Sequence, residues 1–241
     1  MTNPGAAESR AFSAGKRSRA RKANGNRVAR PAPLREVVHD AILEMIIDRT
    51  LRPGQHLAEG ELAAELGVSR QPVREALQRL QTEGWIDLEP AQGAFVHTPT
   101  EQETVQLLSV RVLLETHAAE LAAAPPSEAD TARLWELQRA GEAAVAADDR
   151  GAMVKANAEL HAFITELSGN AVLQELIGIV NRRVQWLYTS VARQRSKDAW
   201  AEHAELIEAI TGGKPDRARE LMHAHITRTA EAIRTGPDTA H

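Results

Sequence analysis

Residues 51–84 read LRPGQHLAEGELAAELGVSRQPVREALQRLQTEG, and this stretch decides the fold. Leu62, Ala63 and Leu66 recur at helical spacing, and Gly67, which tolerates positive φ, stops that short helix. Ser69 stands where a helix N-cap belongs. Its hydroxyl is placed to accept a free first-turn N–H, and Pro72 falls where a missing N–H costs little. In the helix that follows, Val73, Leu77 and Leu80 share one side, while Arg70, Arg74, Gln78 and Gln81 repeat on another. Two short helices in tandem, the second with a polar face carrying arginine at its start, suit the reading of base edges in a DNA groove.

The flanks complete the unit. Upstream, Leu34, Val37, Val38, Ile42, Met45 and Ile46 follow helical steps, and Arg52-Pro53-Gly54 is expected to end that helix. Downstream, Gly84 closes the arginine-bearing helix, Trp85–Leu88 and Ala94–Val96 read as short strands, and Ala91-Gln92-Gly93 turns between them. Residues 31–99 are therefore expected to form a winged helix-turn-helix. Its net charge argues the other way, because six Arg oppose eleven Asp or Glu there. Placement decides instead: Arg70 and Arg74 lie in the first turns of a helix whose N-terminus already attracts phosphate. Ser69, Arg70, Arg74, Gln78 and a glycine-tipped wing together make a DNA-binding face.

The 241 residues suffice for two domains, and 43% hydrophobic with 3% aromatic residues favours helices packed through Ala and Leu. With no cysteine, disulfides, thiolate metal sites and thiol nucleophiles are excluded. No apolar run approaches the roughly 20 residues that span a bilayer, and the basic N-terminus lacks the apolar core of a secretory signal. No membrane association is expected, and the cytoplasm is the expected location. Residues 1–30 hold eight Lys or Arg against Glu8, so +7 sits there and −11 on the remainder. That composition predicts a disordered segment, read either as a basic arm touching DNA phosphates or as a solvated tail.

Residues 100–236 read as about six helices, with breaks at Pro125-Pro126, near Asp148-Asp149, at Ser168-Gly169-Asn170, near Arg195-Ser196 and at Gly212-Gly213; residues 237–241 are a tail. Polar residues interrupt apolar faces at Asn157 and His161, one helical turn apart, and again at His203 and His225, whereas His223 points away. Buried imidazoles need partners; three that converge suit a divalent cation, and each alone suits a satisfied core position. Arg111, among Leu107, Leu108 and Leu114, offers a planar fork for a carboxylate, with an ion pair to Glu115 as the alternative. There is no His-Glu-x-x-His pattern, serine elbow or Gly-rich phosphate loop.

The run Leu51-Arg52-Pro53-Gly54, Leu57, Glu61-Leu62-Ala63, Gly67-Val68-Ser69-Arg70, Pro72 to Leu77, Leu80 and Gly84 resembles the reader domain of GntR-family regulators. The resemblance implies operator contacts from Arg70, Gln71, Arg74 and the wing glycine Gly93. It transfers none to Gly60, where some members carry an arginine. Asn157-x-x-x-His161, Asn170, Glu202-His203 and His225 resemble the FCD effector domain of the FadR-type branch. That resemblance implies a divalent metal held by an Asp and three His, with a carboxylate effector docking on it. His161, His203 and His225 match the histidines, Asn157 replaces the Asp, and Arg111 is similar to an arginine facing the effector.

The expected protein is mainly α: a winged helix-turn-helix with a β-hairpin wing, then an all-α effector-binding bundle. Its DNA-binding residues are Ser69, Arg70, Gln71, Arg74, Gln78 and Gly93. Arg111 and Asn157 meet the effector, and Asn157, His161, His203 and His225 the metal. Zinc, nickel or manganese would be held weakly, because Asn offers a neutral carbonyl oxygen where Asp offers charge. The expected function is a ligand-responsive transcription regulator, a repressor sensing a small carboxylate, working as a homodimer on a double-stranded DNA operator. Two alternatives stay open: a constitutive dimeric DNA-binding protein, and a metal-dependent hydrolase fused to a DNA anchor.

Overall fold

A computed structural model describes residues 33–236; the arm expected at 1–30 and the tail at 237–241 lie outside the described residues. The first unit runs α1 (Leu34–Ile47), β1 (His56–Leu57), α2 (Glu59–Glu65), α3 (Arg70–Thr82), β2 (Ile86–Glu89) and β3 (Gly93–Val96). Val38, Ile42 and Ile46 of α1 meet Val73, Leu77 and Leu80 of α3, with Leu62, Ile86 and Val96 closing the core. The sheet is antiparallel in the order β1-β3-β2, with Ile86 opposite Val96 and Leu57 opposite Ala94. It therefore has three strands where the sequence pattern indicates two, since a two-residue strand leaves no alternation to read.

Other local differences have local causes. Helix α1 stops at Ile47, not at Arg52-Pro53-Gly54, because Asp48 caps it and Arg49 swings to φ 71°. The Pro-Gly turn serves instead to bring Gly54 N–H to the Val96 carbonyl at 2.8 Å. Val37, on the apolar repeat, is exposed. Ser69 is the N-cap of α3 by position, but its hydroxyl makes no capping hydrogen bond. Trp85 lies just before β2, buried in the core.

Six helices follow: α4 (Glu101–Ala122), α5 (Glu128–Ala146), α6 (Arg150–Leu167), α7 (Ala171–Tyr188), α8 (Ala192–Thr211) and α9 (Pro215–Thr235). Thr100 with Glu103 and Ser127 with Asp130 form capping boxes, and Asp149 and Asn170 cap α6 and α7. The break expected near Arg195-Ser196 is absent: both residues lie inside α8, and the chain turns at Thr189–Val191. The polar pair misleads because it is buried, with Ser196 Oγ 3.0 Å from Tyr188 Oη. At Gly141 in α5 a Cβ would fall 1.9 Å from the Trp200 ring, so only glycine admits α8 this closely.

The two units share a seam built on Trp186. This α7 side chain is buried in the core of the winged unit, its ring centroid 5.5 Å from that of Trp85. Arg49 lies over the Trp186 ring at 5.2 Å and donates to the Trp186 carbonyl at 3.0 Å. Arg183 lies over Trp85 at 4.8 Å and donates to the Glu83 carbonyl, while Thr189 Oγ1 donates to the Ile47 carbonyl at 3.2 Å. Each bracket is an aromatic ring faced by a guanidinium, which is attracted to the ring's negative face. Trp186→Ala is expected to lower stability by about 3–5 kcal/mol through the void it leaves. Because the void lies in the winged unit, calorimetry of the full chain should resolve a separate, lower-temperature transition for that unit. A single transition at the wild-type temperature would contradict the seam.

Candidate functional site

On the winged unit, α3 and the wing face one groove of about 410 Å³ lined by His56, Glu59, Arg74, Gln78 and Gly93, among others. Gly93 opens β3 at φ 104°, a region that favours glycine, and a Cβ there would stand 2.9 Å from His56 Nε2. Arg70, Gln71 and Ser69 sit exposed at the N-terminal end of α3, outside that groove. Gln71 Nε2 donates to Glu75 Oε1 at 2.9 Å. Arg74 makes a two-pronged pair with Glu59. Neither His56 nor Glu59 stood out in the sequence, since a lone His on a two-residue strand and a Glu starting a helix carry no signal of their own.

In the helical domain, Asn157, His161, His203, His225 and Arg111 are all buried. His161 Nε2 lies 3.2 Å from His203 Nε2, which lies 3.3 Å from His225 Nε2. The outer nitrogens of two rings are held by carboxylates: His161 Nδ1 by Glu115 at 2.6 Å and His225 Nδ1 by Glu202 at 2.8 Å. Carboxylates only accept, so both Nδ1 atoms carry the proton, and in the neutral tautomer this assigns, the Nε2 atoms turn lone pairs inward. His203 Nε2 has one proton at most to offer two such neighbours, and its Nδ1 is buried without a partner. Asn157 Oδ1, one turn before His161, is also unpartnered. Three inward imidazoles with carboxylates behind two of them, plus a spare buried oxygen, fit the donor set of a divalent ion.

Arg111 donates from Nε to Glu115 Oε1 at 2.8 Å and from Nη2 to Oε2 at 3.4 Å, and Nη1 has no partner. The ion pair read as an alternative thus forms, and it leaves one end of the guanidinium spare. Arg111, Asn157 and His161 line a cavity of about 20 Å³ with Asn181, Gln185 and Tyr188 of α7. That is room for roughly one water. These α7 residues were not singled out in the sequence, because their polar spacing resembles an ordinary solvated face.

Burial foremost, then the neighbouring imidazoles and the Arg195 and Arg111 guanidiniums, hold His203 and His225 well below the usual imidazole range. Burial would push the Glu115 carboxyl up, but Arg111 and His161 override it and hold it far below the usual carboxylate range. The centre is therefore two neutral imidazoles and a charged, fully paired carboxylate. Neutral imidazole is the form that ligates metals.

Comparison with known proteins places these features in a family. Residues 34–96 match the family described as "Bacterial regulatory proteins, gntR family", and residues 106–228 match the FCD domain. The chain belongs to the GntR family of bacterial regulators, with an FCD domain behind the DNA reader. It is 25% identical over 211 residues to the uncharacterized HTH-type transcriptional regulator YdhC of Bacillus subtilis (strain 168), covering 85% of this chain and 93% of that protein. It is 29% identical over 217 residues to the HTH-type transcriptional regulator LutR of the same organism, covering 78% and 96%. The Nta operon transcriptional regulator of Aminobacter aminovorans is 28% identical over 193 residues, covering 78% and 89%. E. coli McbR/YncC shares the fold with TM-score 0.72 at 23% identity, over 84% of this chain and 98% of that one.

The matched families and relatives are transcription regulators and not enzymes, which removes the hydrolase alternative. Among the described residues, no helix is long and apolar enough to cross a membrane.

Unfolded, the imidazoles of His203 and His225 take a proton near pH 6.5; folded, they take it only at lower pH. Below pH 6.5 the unfolded chain therefore binds more protons, and stability falls as pH falls toward the folded values. With chelator present, the slope should approach about 1.4 kcal/mol per pH unit for each imidazole. Denaturant titrations from pH 7 to 5 test this, and His203→Leu should flatten the slope. An unchanged slope in that variant would be the contrary result.

Proposed function

We propose that this protein is a repressor that binds its operator as a homodimer and responds to a small carboxylate taken up with a divalent cation. The convergence of the His161, His203 and His225 Nε2 atoms beside the unpartnered Arg111 Nη1 and Asn157 Oδ1 carries the proposal. His161, His203 and His225 would hold the ion, with Asn157 Oδ1 as a neutral fourth ligand. A divalent ion would supply positive charge and open coordination positions for carboxylate oxygen. Asn157 leaves that charge uncompensated in a low-dielectric site, so an anionic effector has reason to bind there. Arg111 Nη1 supplies a donor for a second oxygen.

The cavity is too small for a metabolite as it stands, so uptake has to move its walls. Asn181, Gln185 and Tyr188 are on α7, the helix whose Trp186 is set in the winged unit's core. That arrangement supports a route by which effector uptake changes the placing of the DNA reader. On the DNA side, Ser69, Arg70, Gln71, Arg74, Gln78 and Gly93 make the operator face, and the basic segment 1–30 supplies sequence-independent phosphate attraction.

For the dimer, Val110 and Leu113 of α4 and Val172, Leu176 and Ile179 of α7 form exposed apolar stripes on two helices that pack together. An apolar patch of this kind on the helical domain suits a second copy, which would set two DNA readers against two half-sites. Sedimentation of the full chain should give a dimer, and Leu113→Glu with Ile179→Glu should give a folded monomer. A dimer persisting in that double variant would place the interface elsewhere.

Calorimetry tests the sensing centre. Zinc, nickel and manganese should each bind more tightly in the presence of the responsive member of a panel of small carboxylates, and reciprocally. Asn157→Asp should raise affinity for the metal alone and reduce that mutual effect. If the wild type takes up no metal with or without any carboxylate, the histidines line a metal-free pocket.

A further inference from the structure

DNA reading by α3 depends on how its two leading arginines are placed, and α2 holds one of them and leaves room for the other. Arg74 turns one edge of its guanidinium to Glu59: Nε donates to Oε1 at 2.9 Å and Nη2 to Oε2 at 2.8 Å. A guanidinium has five N–H bonds in one plane. This pairing takes one on Nε and one on Nη2, leaving both on Nη1 and the second on Nη2. The free end edge carries two parallel donors, the spacing that matches O6 and N7 of guanine. Beside it, Arg70 lies across Gly60, where a Cβ would stand 3.3 Å from Arg70 Nη2 and 3.6 Å from its Nε and Cζ. Gly60 has no positive φ that would require glycine, so the space it leaves is its effect.

Both partners of the Glu59–Arg74 pair are substantially exposed, and exposed pairs contribute little to folding. A carboxylate in the groove between recognition helix and wing also repels phosphates. Its gain lies elsewhere: a long side chain fixed before binding loses less freedom on binding. We propose that Glu59 is a positioning residue for base readout, fixing Arg74 with its end edge toward a guanine, with Gly60 leaving the berth in which Arg70 lies. The inference rests on the DNA-reading function and adds a specificity determinant outside the recognition helix. A carboxylate that orients an arginine while repelling phosphates raises the contrast between one sequence and all others.

The test uses the full chain and the duplex it selects from a randomised library. Affinities are measured by fluorescence anisotropy for that duplex, for each single base-pair change in it, and for a random-sequence duplex. Arg74→Ala identifies the base pair that Arg74 reads. Glu59→Gln is expected to weaken binding to the selected duplex about tenfold and to lose preference at that same pair. Binding to the random duplex should stay unchanged or tighten. Glu59→Gln combined with Arg74→Ala should bind no worse than Arg74→Ala alone. Circular dichroism checks that each variant is folded. An unaltered base profile in Glu59→Gln overturns the inference, as does equal tightening on both duplexes, which would make Glu59 a mask over Arg74. If the wild type enriches no duplex, the DNA-reading function itself falls, and the inference with it.

Discussion

Glu115 is the buried charge around which the helical domain is arranged. A carboxylate removed from water is costly unless its charge and lone pairs are matched. Here Arg111 supplies the charge from one turn earlier on α4, and His161 supplies a donor from α6. The match ties two helices together and leaves little freedom in any of the three side chains. It also decides chemistry, because a proton on His161 Nδ1 leaves Nε2 free to face the centre. Glu202 repeats the device at the other end, held by Arg195 and Arg228 and accepting from His225. Between the two carboxylates, His203 is the ring with no outer partner, and it packs edge-on against Trp200 at 4.8 Å. Its orientation is set by packing where the others are set by hydrogen bonds.

Helix α7 links this centre to the DNA reader, because its C-terminal half is buried on more than one side. Val184, Gln185 and Tyr188 look toward Arg111 and His161, while Arg183, Trp186 and Thr189 hold the winged unit. Packed helices resist local deformation, so on the proposed sensing function a shift at one face of α7 would be carried to the other. Arg49 completes the bracket from the opposite side. It occupies a left-handed backbone position usually given to glycine, and its ring contact and carbonyl hydrogen bond both go to Trp186.

The helical pattern was legible where burial is periodic. Val73, Leu77 and Leu80 repeat at steps of three and four, so the recognition helix and its core face follow directly from the sequence. So does the inward placing of Asn157, His161, His203 and His225, polar residues on otherwise apolar faces. What could not be read was any relation between helices. Nothing local in Glu202 points to His225, nor in Glu115 to His161, and Trp186 looks like one more apolar residue on its own helix. Short elements were equally opaque: β1 has two residues, and the turn at Thr189–Val191 carries neither Gly nor Pro. Arg195-Ser196 shows the reverse error, since a polar pair signals a loop only when it reaches water.

The acidity of the reader follows from the same pairing logic. Several of its carboxylates are turned on its own cations: Glu59 on Arg74, Glu83 on Arg79 and His39, Asp87 on His97. Sequence-independent affinity for DNA grows with the number of phosphates neutralised, and a net-acidic unit has few unpaired cations to offer them. Specific affinity depends instead on a small number of donors already aimed at base edges. In the proposed regulator an acidic reader would therefore bind random DNA weakly while keeping its contacts at the right sequence, which would widen the ratio between the two. On that reading a single reader has few contacts with which to hold an operator, and the proposed pairing of two copies would double them.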